Sequence, residues 1–208
     1  MRAPSLADAA HRLEAARDRR GRALPRLWLV SDPVRLPDPA PLLARLGRGG
    51  GLIWRPYGLD RSPARAQGRR LRHLTRRAGV VFLVAADARL AAAVDADGLH
   101  LPEGLARHAV AAPALAWARR GRRLSVACHG ARALARARAL GADMAVLSPV
   151  FATASHPGAV PLGPLRFAAL SRRAGLPVVA LGGVTGARAR RLPPGTAAGL
   201  AAVSGLGT

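Results

Sequence analysis

The chain has 208 residues, 50% of them hydrophobic, with 23 glycines and one cysteine: enough for one sizeable core and hardly two. A single thiol forms no internal disulfide, spaced Cys or His ligand pairs are absent, and no apolar run reaches the roughly 18 residues of a membrane span, so a disulfide scaffold, a structural zinc module and a membrane-spanning helix are excluded. The net charge of +22 would ordinarily indicate nucleic acid, but all 33 basic residues are Arg, Lys and Asn are absent, and aromatics amount to 3%. With the arginines spread over several predicted helices instead of one stripe of interleaved stacking residues, the charge reads as GC-rich coding bias and a solvated shell, and specific nucleic-acid binding is not expected.

In chain order, the opening segment mixes arginines with Asp8, Glu14 and Asp18 and has no apolar signal core, so a cytoplasmic location is expected. Within it, residues 5–20 have a helical period, with Ser5 as N-cap and Leu6, Ala9, Ala10, Leu13 and Ala16 on one face. Residues 1–25 therefore read as a helical extension and 26–208 as the main domain. From residue 26, short Val/Leu runs at 26–32, 51–55, 80–85, 97–101, 124–128, 144–147, 176–181 and 199–203 alternate with amphipathic stretches at 40–46, 62–77, 87–94, 105–119, 131–140, 164–173 and 186–192. Eight such βα units predict an α/β fold, a single (β/α)8 TIM barrel. Its last helix is expected to be missing or reduced, since little chain follows the eighth strand, and the N-terminal helix is expected to cover part of that gap. A doubly wound sheet competes less well, because Asp32 leads into Pro33 and Pro37 where a Gly-x-Gly-x-x-Gly turn would stand.

Barrel chemistry sits at the carboxyl ends of the strands. The second exit carries Arg55, suited to binding an anion, after Trp54; the fourth His100 and Glu103; the fifth Cys128 and His129. The sixth opens a long loop with Thr153, Ser155 and His156, the seventh gives Gly182-Gly183-Val184-Thr185, and the eighth gives Val203, Ser204 and Gly205. Backbone amides freed by glycines at the last two exits, beside a short helix, make a phosphate site, so a small phosphorylated ligand is implied. His100 and Cys128 read as packing residues, and Trp54 reads equally as a stacking platform or a barrel neighbour.

Six motifs then fall in order: Leu27-Trp28-Leu29-Val30-Ser31-Asp32, Ala96-Asp97-Gly98-Leu99-His100-Leu101, Gly141-Ala142-Asp143, the run Ser148 to His156 with Gly163, Gly182 to Thr185, and Ala198 to Gly205. Together they resemble the thiamin phosphate synthase and thiazole tautomerase superfamily. The resemblance implies a barrel holding thiazole phosphate, or a related phosphorylated heterocycle, on the Gly182, Gly183, Val203 and Ser204 loops, with Arg55, Thr153, Ser155 and His156 as further binding residues.

In the synthase branch the resemblance implies joining a pyrimidine diphosphate to thiazole phosphate with Mg2+ on aspartates. Here Ala85-Ala86 stand at the Asn-Asp position, Leu105 at the second Asp, and Tyr57 and His156 at two Lys positions. Asp87 and Glu103 remain as metal candidates. The tautomerase branch implies a Leu-Pro turn, matched by Leu101-Pro102, a catalytic His, matched by His129, and no metal or other cofactor. Proton transfer by His129 is the expected reaction. The alternatives are a synthase with an altered Mg2+ site, and an inactive barrel or Arg-rich nucleic-acid binder; a homo-oligomer is left open.

Overall fold

The computed structural model describes residues 4–107, 112–153, 158–203 and 206. Eight parallel strands, β1 (Leu27–Val30), β2 (Gly51–Trp54), β3 (Val81–Ala85), β4 (Gly98–Leu101), β5 (Arg123–Cys128), β6 (Met144–Leu147), β7 (Val178–Ala180) and β8 (Gly199–Ala202), close into a barrel in sequence order, with β8 paired to β1. The helices are α1 (Leu6–His11), α2 (Leu43–Leu46), α3 (Arg61–Ala78), α4 (Ala88–Ala93), α5 (Ala112–Arg119), α6 (Ala131–Ala139), α7 (Gly163–Arg173) and α8 (Gly186–Ala189).

Strand periodicity divides the core in two. Trp28, Val30, Ile53, Leu83, Ala85, Met144, Val146, Val179 and Ala201 fill the barrel interior, while Leu29, Leu52, Trp54, Phe82, Leu99, Cys128 and Leu147 pack outward under the helices. Trp28 fills its layer because Gly51 on the neighbouring strand has no Cβ, which would overlap the indole. Its Nε1–H donates to the Pro25 carbonyl at 2.8 Å.

Several predicted helices come out shorter, among them 186–192, which is helical over Gly186–Ala189, and two differ most. Ser5 caps α1, accepting from the Asp8 amide while Asp8 bonds back to the Ser5 amide, but the helix ends at His11 instead of continuing to residue 20. Residues 17–24 instead fold back through an Arg17–Ala23 bridge around the buried Asp18, which accepts from the amides of Arg20 and Arg22. Those local bonds replace helical ones. Helix α1 touches β1, β8 and α8, so it stands in the outer ring between the last strand and the first. The stretch 105–119 divides into a 3₁₀ turn at Leu105–Arg107 and α5, with 108–111 outside the described residues.

Candidate active site

The glycine pair at the end of β7 is forced by geometry. Gly182 and Gly183 have φ of +93° and +62°, a Cβ on Gly182 would lie 2.8 Å from Pro149 Cα, and one on Gly183 would overlap the Ala152 carbonyl oxygen. This close approach lets the loop after β6 dock on the exit of β7, with Val150 N–H donating to Leu181 O and Phe151 N–H to Gly182 O, both at 2.9 Å. Beside them lies a cavity of about 440 Å3 lined by Asp32, Arg35, Arg55, Ser148, Thr153, Gly182, Gly183, Thr185, Arg188 and Val203.

Arg55, Thr153, Gly182, Gly183 and Val203 of the sequence-derived set therefore come together, whereas Ser155, His156 and Ser204 lie outside the described residues. The short helix α8 is capped by the Thr185 hydroxyl, which accepts from the Arg188 amide at 3.2 Å. Arg188 turns back to donate to the Gly183 carbonyl at 3.0 Å.

The sequence reading missed Asp32. Arg55 donates its amide to Ser31 Oγ at 2.7 Å and its Nε to the Ser31 carbonyl, and its guanidinium meets Asp32 at 3.0 Å. Burial alone would raise the Asp32 pKa, but bonds from Arg35 and from the amides of residues 34 and 35 outweigh it and hold the carboxyl at about 2. Burial acts oppositely on Arg55, lowering its pKa. The Ser31-Asp32 dipeptide just past a strand was the available signal.

His129 is exposed beside this cavity and is not in its lining, but its Nδ1 lies 2.8 Å from the Ser148 carbonyl. A carbonyl only accepts, so Nδ1 carries a proton and donates it here, which turns Nε2 away from this bond. Its own amide donates to Glu103 Oε2 at 3.1 Å. His100 lies inside the barrel against Ser125 Oγ at 3.0 Å, its pKa pushed down to about 3 by burial and then by the Arg55 charge. Cys128 and Trp54 point outward into packing; burial, with Glu103 adding to it, pushes the thiol up to about 12, and Trp54 lies against Phe82 at 6.1 Å between centroids.

The carboxylates near the mouth do not fit a Mg2+ site. Asp87 Oδ1 caps α4 by accepting from the Leu90 amide, Glu103 accepts from His129, and Asp32 is held between Arg35 and Arg55. Among the described residues no group of three or more His, Cys, Asp or Glu is placed to share a cation.

Residues 43–206 match the family profile described as thiamine monophosphate synthase. The chain belongs to the thiamine monophosphate synthase family. Among its relatives, the thiamine-phosphate synthase of Acidithiobacillus ferrooxidans is 34% identical over 86% of this chain and 85% of its own. That of Chloroflexus aurantiacus is 35% identical over 65% of this chain and 62% of its own. The chain spans a little under two thirds of the length of the Chloroflexus protein and of the similar one from Geobacter sulfurreducens. A thiamine phosphate pyrophosphorylase from Pyrococcus furiosus has the same fold, with a TM-score of 0.68 at 24% identity over 85% of this chain and 84% of that one. These relatives carry the synthase name, so they favour the transferase branch over the tautomerase branch that the sequence motifs suggested. No helix among the described residues is long and apolar enough to cross a membrane.

Proposed function

We propose that this protein is a transferase of the thiamin phosphate synthase type, which joins a pyrimidine diphosphate to thiazole phosphate and yields thiamin phosphate and diphosphate. The observation that carries the reading is the relationship to synthases along most of the chain. The cavity at the strand exits agrees with it. The amide of Gly183 receives the thiazole phosphate, Arg188 supplies positive charge at the rim, and Thr153, Val203 and the Arg55–Asp32 pair shape the wall. Arg55 acts through position: tied to Ser31 and Asp32, it presents a fixed positive field with little side-chain entropy left to lose. Mg2+, which the synthase reading implies, is given no step, because the carboxylates present do not fit it.

Purified protein incubated with thiazole phosphate and the pyrimidine diphosphate, with Mg2+ or with EDTA, tests the reading by formation of thiamin phosphate. Product that disappears on mutating Arg55→Ala supports it; no product under either condition overturns it.

One observation favours a second reading. His129 has its tautomer set by Ser148, which leaves Nε2 ready to move a proton on a thiazole carboxylate phosphate. Under that reading His129→Ala abolishes tautomer interconversion and leaves ligand affinity nearly unchanged, the mark of a group acting in the transition state. His129→Gln, which retains a hydrogen bond without the base, is equally inactive.

A further inference from the structure

A second cavity, of about 580 Å3, opens at the exits of β2 and β3, between the first turns of α3 and α4. Three arginines line it: Arg61 and Arg65 from α3, Arg89 from α4. Some arginines elsewhere pair with carboxylates, as at Asp18, Asp32, Asp38, Asp95, Asp97 and Asp143. Here, among the described residues, the three guanidiniums have no hydrogen-bond or ion-pair partner. Asp87, the acid in the lining, spends one oxygen capping α4. Like charges gathered around a pocket repel one another, and a multivalent anion relieves that repulsion while accepting forked hydrogen bonds. Leu90, Tyr57 and Leu59, the last two 40% and 44% exposed, line it as well and add apolar surface. Anion-binding groups together with apolar side chains in one cavity suit an organic diphosphate. Ala86, also in the lining, holds φ at +68°, a strained value for a residue with a Cβ.

We infer that this arginine-lined cavity binds the diphosphate group of a ring-bearing substrate directly, without a divalent cation, the guanidiniums doing what a metal held by carboxylates would otherwise do. The inference deepens the proposed transferase reading and rests on it for the identity of the ring, though not for the anion.

The test is isothermal titration of the full chain with inorganic diphosphate, first in EDTA and then with excess Mg2+. Binding persists in EDTA. Arg61→Gln and Arg89→Gln each weaken it about tenfold, the scale of one charge-assisted hydrogen bond, and R61Q/R65Q/R89Q loses it. R132Q/R172Q/R173Q, which removes the same charge from α6 and α7, stays within about threefold of the parent because its charges are remote and screened. Binding only in the presence of Mg2+, or equal losses in the two triple variants, overturns the inference. Thiazole phosphate titrated into R61Q/R65Q/R89Q should bind as it does to the parent, which shows that the fold survives. Its failure to bind the parent chain would sink the proposed function and leave the diphosphate result standing.

Discussion

The two ends of the barrel use arginine in opposite ways. At the amino end, carboxylates preceding the strands are enclosed by arginines and amides: Asp143 accepts from Leu124 N–H at 2.8 Å and from Arg19, Asp97 takes a bidentate Arg72 and the Phe82 amide, and Asp18 takes Arg22 and Arg123. At the carboxyl end, Arg61, Arg65 and Arg89 stand unpaired around a cavity, and the carboxylate Asp32 is shared by Arg35 and Arg55. The carboxylates at the amino end are structural, because arginines and amides occupy them. Charge at the carboxyl end is in excess, as a surface that receives anions requires.

Removing a carboxylate from the amino end should break the contrast most severely. Asp143 is 1% exposed, and Asp143→Ala leaves Arg19 and the Leu124 amide without their acceptor. Unfolding by denaturant should show a loss of about 3 to 5 kcal/mol; a loss below about 1 kcal/mol would mean that the network is not structural.

Gly183→Ala attacks the carboxyl end through its backbone. A methyl group at positive φ against the Ala152 carbonyl should cost about 2 to 3 kcal/mol, read from the same denaturation midpoint, and should weaken thiazole phosphate binding.

The Asp32 clamp sharpens the comparison by pH. Its carboxyl is held at about 2, against 3.8 when free. Its contribution, about 2 kcal/mol, is therefore fully present above pH 4 and is lost as pH falls towards 2. The stability difference between the parent and Asp32→Asn should shrink by that amount between pH 5 and pH 2, and a difference that stays constant would refute the clamp. The smallest effect is a gain: Ala86→Gly relieves the positive φ and should raise stability by about 0.5 to 1 kcal/mol. No gain in a thermal melt would show that Ala86 is unstrained.

Much of the barrel was legible in the sequence because buried parallel strands leave continuous runs of Val and Leu, as at residues 81–85 and 144–147, and few other structures explain eight of them. The Gly182-Gly183 pair was legible for a similar reason, since a positive φ beside a carbonyl admits little else. The early end of α1 was hidden, because Leu13 and Ala16 continue the helical period and only the burial of Asp18 shows where the chain turns. The Asp32–Arg55 clamp joins residues 23 positions apart across neighbouring strands, and the arginine cavity depends on how α3 and α4 lean together. Neither leaves a local pattern, although Ser31-Asp32 at a strand exit marks one end of the first. The reaction branch is less legible for a related reason: His129 matches a tautomerase residue by position, whereas the likeness to proteins named synthases is spread over 86% of the chain.

Helix α1 also bears on how the molecule is assembled. Leu6, Ala9 and Ala10 bury themselves against α8, β1 and β8, so a segment made before β1 must wait for the eighth strand. Contacts of such sequence separation close slowly and leave the β8–β1 seam uncovered in the meantime. On the ribosome the nascent barrel would carry an open, strand-edged gap until β8 emerges, and in that interval it depends on chaperones or on dilution to stay unaggregated.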